Sequence, residues 1–288
     1  MSPMASNAFS PPMPTCSSNS ELRRARPILG TLVEITLPAS SIAPRALERA
    51  FAVITRVHHL MSAHESTSDL GRISAAQVGR VVYIDPWTWR VLAYAQKFSQ
   101  QSEGAFDVAA TSSPQGATWN DLELLPNRRS VRCQRALRLD LGGIAKGFAV
   151  DQAVRNLRRA GIQWGLVNAG GDLRGFGPRT WPLQVRHPSC PGALLPLAPF
   201  QNVAVATSAP YFSQRRHGGY TISDLVDPRD HRYVVGSISA TVIAPTALIA
   251  DAMTKIMLLS PTKADKLLRS YHARAIIHRP QTETRHAC

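Results

Sequence analysis

The sequence predicts an α+β fold, with mixed sheets rich in antiparallel pairing and helices packed against them. Strand-like alternation and helix-like periodicity both occur. Their order is too uneven for the regular βαβ succession of a doubly wound sheet. No internal repeat is visible, which removes solenoids and propellers. The chain has 288 residues, 44% of them hydrophobic, enough for a substantial core.

The elements follow in order. Residues 1–25 are rich in Ser and Pro, lack the apolar core of a secretory signal, and are expected to form a disordered tail. "GTLVEITLP" (30–38) alternates apolar and polar residues and reads as a strand. From Pro44, Leu47, Phe51, Ile54, Val57 and Met61 recur at helical spacing. "RVVYID" is a short strand, and Pro86 suits the first turn of a helix carrying Val91, Leu92, Ala95 and Phe98. Residues 108–130 lack periodicity and read as an irregular excursion. "LRLDL" (137–141) alternates as a strand, and a helix from Lys146 to Ala160 follows, closed by Gly161. "WGLVNAGGDLRG" is a strand entering a glycine turn, and "PLQVRH", "NVAVATS" and "SISATVIAP" are further strands. A helix from Thr246 to Leu259, a short helix and the strand "RAIIHR" finish the chain. Residues 281–288 are expected to be a C-terminal tail, leaving 26–280 as one folded domain.

Formal net charge is +14, and 28 of the 33 basic residues are Arg, whose planar fork suits phosphate-bearing ligands. The basic residues are scattered, with only doublets such as Arg128-Arg129 and Arg215-Arg216, so nucleic acid is not expected as a partner. Cys16, Cys133, Cys190 and Cys288 form no C-x-x-C pair; neither a disulfide framework nor a zinc site is expected. No stretch is long and apolar enough to span a bilayer, and the chain is read as cytoplasmic.

Five stretches carry possible chemistry. "LDLGGIAKGFAVD" puts glycines and Lys146 where an extended segment meets a helix. Backbone amides and an ammonium there suit an anion, although a tight turn with a solvated lysine fits equally. The spacing is neither a Walker loop nor G-x-G-x-x-G. "VNAGGDLRG" offers Asn168 and Asp172 as an outward-pointing polar pair, or simply a hairpin turn. "SEGAFDVA" sets Phe106 beside Asp107, an aromatic next to an acceptor, or an ordinary core residue after a glycine. "SDLVDPRD" places Asp224 and Asp227 before a turn that Asp227 would cap. "IADAMTK" spaces Asp251 and Lys255 one helical turn apart. An exposed pair of that kind is worth about 0.3–0.5 kcal/mol, whereas the Ala-rich surroundings suggest burial, where an unpaired Asp is costly.

Together and in this order, "ILGTLVEI", "MSAHESTSDLGRIS", "GAFDV", "LDLGGIAKGFAVD", "LVNAGGDLR", "VRHP", "ATS", "LVDPR" and "VIAPTALIADAM" resemble the ApbE family of flavin transferases, from about Arg26 to about Leu259. The resemblance implies an ApbE-like, T-fold-like α+β architecture that holds FAD in a cleft. It also implies a divalent cation, usually Mg²⁺, and transfer of the FMN half of FAD to a Ser or Thr of a target flavoprotein, with AMP released. On that resemblance Leu29 lies near the flavin and His64 replaces an aromatic packed on it. Ala105, Phe106 and Asp107 form a cofactor-contacting stretch. Gly142, Lys146 and Phe148 lie on the loop and helix start beside FAD, and Asp172 and Leu225 complete the FAD contacts. The Ala145 carbonyl, Asp251 and the residue four further on correspond to the metal set, and Lys146 supplies positive charge to the reaction.

Two positions depart from the pattern. The last metal position is Lys255, with Thr254 just before it. A charged lysine cannot ligate Mg²⁺, but its ammonium can neutralise Asp251 in the metal's stead. Asp224 stands where some members carry a histidine proposed as base, and His217 or His231 offers an alternative if either folds back. These departures keep a second reading open: an FAD-binding carrier or assembly module of the same fold, without transferase activity.

Overall fold

A seven-stranded sheet organises this computed structural model, which describes residues 20–110, 116–126, 129–188, 190 and 192–279. β1 (Glu21–Ile28) and β2 (Thr31–Pro38) form an antiparallel hairpin. β2 shows the expected alternation, with Val33, Ile35 and Leu37 buried. α1 (Ala43–Met61) carries its periodic apolar residues inward, and Phe51, Ile54 and Val57 are buried, each worth about 1.5–3 kcal/mol. α2 (Asp69–Ala75) starts at a Ser68 cap, and after β3 (Val81–Tyr83), α3 (Pro86–Gln101) starts at an Asp85 cap with Pro86 in its first turn.

β4 (Leu122–Leu125) and β5 (Ser130–Cys133) join β3 in a small sheet of order β3-β5-β4. α4 (Ala145–Arg159) ends at Gly161, whose φ of +85° is the expected left-handed stop. β6 (Gly165–Ala169), β7 (Asp172–Phe176), the hairpin β8 (Thr180–Arg186) and β9 (Leu194–Gln201), and β10 (Ala204–Ser208) follow. A small hairpin, β11 (Arg215–His217) with β12 (Tyr220–Ile222), precedes β13 (Ser239–Ala244), α5 (Ala247–Leu259), α6 (Pro261–Ser270) and β14 (Arg274–His278).

The main sheet has the order β1-β2-β6-β7-β10-β13-β14, and every pairing in it is antiparallel. α4 packs between α1 and α5 over one face. The β8–β9 hairpin serves a second apolar cluster, where Trp181, Leu183 and Phe200 meet Val205, Leu173 and Ile243. Gly175 makes room for it, because a Cβ there would stand 2.8 Å from the Trp181 indole. No helix among the described residues is long and apolar enough to cross a membrane.

The structure departs from the sequence reading at several points. The strand β1 begins inside the stretch expected to be tail; residues 1–19 of that stretch and the expected C-terminal tail lie outside the described residues. The region 108–130 contains β4 and the start of β5. "LRLDL" is extended with Leu137, Leu139 and Leu141 buried, but no strand pairs with it. Its alternation reports burial rather than a ladder. Cys133 is free and buried, while Cys190 takes part in a disulfide, against the expectation of none.

Candidate active site

Two tight turns bring the site's first walls together. Ile28 pairs with Thr31, so Leu29 and Gly30 alone make the β1–β2 turn, at φ 61° and 69°. Both positive values match the hairpin turn that favours Asn-Gly, and a leucine held there is strained. Ala169 pairs with Asp172 across Gly170 and Gly171, and Asn168 Oδ1 closes this turn by accepting from the Gly171 amide at 3.0 Å. A Cβ on Gly170 would lie 2.3 Å from Thr31 Oγ1, so the two turns touch.

Asp172, directly after the second turn, points inward rather than outward as the sequence suggested. It is buried, and Lys146 Nζ lies 3.3 Å from its Oδ2 and 3.8 Å from Asp251 Oδ2. Lys146 also donates to the Gly142 carbonyl at 2.9 Å. Lys255 donates to Asp251 Oδ1 and reaches the Asp251 backbone oxygen at 3.2 Å. Two ammoniums therefore face two buried carboxylates. Asp172 Oδ2 has no hydrogen bond of proper geometry despite the nearby ammonium.

The electrostatics follow from this packing. Burial opposes the charge of Lys146, yet Asp172 and Asp251 overcome it and hold the ammonium above its ordinary range. Burial also works against ionised Asp251, but Lys146, Lys255 and the Gly147 amide outweigh it and keep its pKa below the usual value. Asp172 is pushed up to about 6, first by burial and then by the Asp251 charge, against the pull of both lysines.

Gly142 and Gly147 of "DLGGIAKG" serve the protein's own contacts. The Gly142 amide donates to Asp140 Oδ1 at 2.7 Å, and those of Ile144 and Ala145 to the Leu141 carbonyl. The Gly147 amide donates to Asp251 Oδ2 at 3.1 Å. These four amides are thus already engaged, not free to cradle a phosphate. A Cβ on Gly147 would fall 2.2 Å from the Ala247 carbonyl oxygen, so only glycine lets α4 touch the start of α5. The contact is reciprocal: Asp151 on α4 accepts from the amides of Ala247 and Leu248 at 2.9 and 3.0 Å, and also binds Arg174. Burial still leaves the Asp151 carboxyl above its ordinary pKa. Asp151 and Arg174 were missed as site-building residues. Their signal was a charge on each of two adjoining motifs, "AKGFAVD" and "GDLRG".

The other predicted residues divide. Phe106 reaches the site: its ring and Lys255 both lie against Gly143, within 3.3 and 3.5 Å of a Cβ placed there. Ala105 is buried beside it. Burial pushes the Asp107 carboxyl up, opposed by the amides of Ala109 and Trp119 and by the charge of His231. Phe148 is buried against Trp87 and belongs to the core. His64 is exposed in the segment after α1. Leu225 is half-buried, its carbonyl accepting from the Val234 amide. Asp224 is 70% exposed, with Oδ1 held by Arg215 at 2.8 Å. A shallow groove lined by Leu22, Arg24, Pro44, Arg45, Leu47 and Glu48 lies at the β1 edge and contains none of these residues.

The sequence model of the ApbE family matches residues 29–277. The chain belongs to the ApbE family. The protein named FAD:protein FMN transferase in Rhodobacter capsulatus is 26% identical over 257 residues, covering 78% of this chain and 49% of that protein. This chain therefore spans about half the length of that relative. Its namesake in Haemophilus influenzae is 26% identical over 255 residues, covering 75% of this chain and 73% of that one. Among solved structures, the ApbE protein of Thermotoga maritima superposes with a TM-score of 0.80 at 23% identity, covering 91% of this chain and 98% of its own. The Pseudomonas stutzeri flavinyl transferase ApbE gives 0.75 at 22% identity, covering 89% and 90%. The expected α+β ApbE fold is thereby established.

This ApbE chain does not offer Mg²⁺ the oxygen-rich shell that the ion requires. Asp251 Oδ1 is taken by Lys255 and Oδ2 by the Gly147 amide. Thr254 is committed to the Asp251 carbonyl at 2.6 Å and to Ser208 at 2.7 Å. The Ala145 carbonyl opens α4 beside a lysine, not beside further acids. Among the described residues, no three His, Cys, Asp or Glu side chains gather as a metal cluster.

Proposed function

We propose that this chain transfers the FMN half of FAD to a Ser or Thr hydroxyl of a target flavoprotein and releases AMP. One observation carries the reading: Lys146, Asp172, Asp251 and Lys255 converge on one buried point in a chain that matches the ApbE family from 29 to 277. The hydroxyl oxygen bonds to the FMN phosphorus, and the bond from that phosphorus to the bridging oxygen breaks. AMP leaves with that oxygen, and the hydroxyl proton passes to a base or to water. Charge that builds on the phosphate oxygens is stabilised by preorganised cations. Lys146, kept charged by its two carboxylates, supplies one. No step is assigned to a divalent ion. Asp224, the base suggested by resemblance, is exposed at the surface with its Oδ1 engaged by Arg215.

The test is direct. The purified chain is incubated with FAD and a candidate acceptor flavoprotein, and the acceptor's intact mass and the released nucleotide are measured. A mass gain of one FMN phosphoester with one equivalent of AMP is expected. FAD bound with no AMP under any condition would replace this reading with the carrier module.

A further inference from the structure

The face of Asp251 that a divalent ion would need is occupied by an ammonium of the same chain. Lys255 follows Asp251 by one turn of α5 and contacts both its Oδ1 and its backbone oxygen. Its stem lies over Gly143, and its side chain is only 17% exposed. The lysine is thus seated between α5 and the Gly-Gly segment rather than extended into solvent. An ammonium carries three donors, and two of them are spent on Asp251. The third remains for a ligand oxygen. Lys146 stands on the other oxygen of the same carboxylate, so the two cations flank Asp251. Asp172 Oδ2, buried, faces the Lys146 ammonium at 3.3 Å and helps to hold it in place.

We infer that Lys255 is a built-in cation that takes over the charge role of a divalent ion, so that this ApbE chain seats the FAD pyrophosphate without Mg²⁺. The inference rests on the flavin-transferase reading for the identity of the ligand. A lysine is a compact point charge on a flexible stem, well suited to a phosphate oxygen. It carries half the charge of Mg²⁺ and needs no shell of oxygens. With Lys146 it sets two positive charges beside Asp251, one fewer than Lys146 and a divalent ion would supply.

The experiment is a fluorescence titration of the full chain with FAD, in excess EDTA and again in millimolar MgCl₂, paired with thermal melts in MgCl₂ alone. Dissociation constants that agree within about twofold, and a melt that Mg²⁺ leaves unmoved, are expected. Lys255→Thr should weaken FAD binding in EDTA by about tenfold or more, regain it in MgCl₂, and acquire a Mg²⁺-dependent rise in melting temperature. Lys255→Met should lose binding without regaining it. Wild-type FAD binding that requires Mg²⁺ overturns the inference and leaves the flavin reading standing. FAD binding in neither buffer overturns the flavin reading, and this inference with it. Lys255→Thr binding FAD in EDTA as tightly as wild type also overturns the inference, without any appeal to activity.

Discussion

Replacing Gly147 with alanine sets two effects of opposite sign against each other. Helix propensity alone favours Ala over Gly inside α4 by about 1 kcal/mol. The packing opposes it, because the new Cβ would lie 2.2 Å from the Ala247 oxygen, 2.5 Å from its carbon and 2.8 Å from the Leu248 nitrogen. All three are backbone atoms, so no side chain can swing aside; the helices must separate by about 1 Å to reach ordinary contact. Overpacking of this kind costs about 1–3 kcal/mol. The separation also stretches the Gly147–Asp251 bond at 3.1 Å and the Asp151 bonds to Ala247 and Leu248 at 2.9 and 3.0 Å. Hydrogen bonds to charged groups contribute about 1.5–3 kcal/mol each. If half of that is lost from the three bonds, the net loss is about 2–6 kcal/mol, and the melting temperature falls on the order of 10 °C. Urea denaturation followed by circular dichroism measures the first, and a thermal scan the second. A Gly147→Ala protein as stable as wild type, or more so, would refute the claim that α4 and α5 are in backbone contact.

Further outcomes are expected at four residues. Asp151→Ala leaves the half-buried Arg174 without its carboxylate and should lose about 3 kcal/mol in urea denaturation; adding Arg174→Met should return part of it, and a double variant no more stable than the single one contradicts the pairing. Leu29→Asn relieves the strain at φ 61° and should raise the melting temperature by a few degrees while weakening FAD binding; a lower melting temperature would show that the packing of Leu29 outweighs the strain. Cys133, its thiol pushed up to about 11 from 9.0 by burial, should resist iodoacetamide at pH 8 until the chain is unfolded. The raised value also means that stability from this thiol is present below pH 9 and is lost as the pH climbs through about 11, as denaturation midpoints across that range can check. Asp224→Asn should slow FMN transfer by less than about threefold, because a true general base contributes about 10²–10⁴; a loss of that larger size would restore Asp224 to the reaction.

Much of the fold was legible because local pattern and burial agree. Val33, Ile35 and Leu37 alternate and are buried, and the Leu47-to-Met61 stripe is the inward face of α1. β1 escaped notice because "ELRRAR" is an exposed, charged edge strand paired on one side only, and such edges carry no apolar alternation. β9 was hidden by Pro196 and Pro199, which remove ladder donors and are tolerated only in an edge setting. The structure draws Lys146, Asp172, Asp251 and Lys255, which stand in three separate motifs of the sequence, into one cluster of ion pairs. The motifs could not say what the glycines were for. Gly147 is constrained by Ala247, a hundred positions away in sequence, which no local pattern reveals. Burial of Asp172 was equally invisible, since a turn reads the same whether its acid faces solvent or a lysine.

The exchange of caps between α4 and α5 ties the site to the stability of the whole fold. The amides of Ala247 and Leu248 find their acceptor on another helix, and the Gly147 amide finds its own in return. Neither helix start frays without giving up bonds to the other, so these amides are expected to be among the slowest to exchange with deuterium. The charged centre therefore has no loosened, half-built form that persists inside an otherwise native molecule: it is assembled when the two helices dock and dismantled when they part.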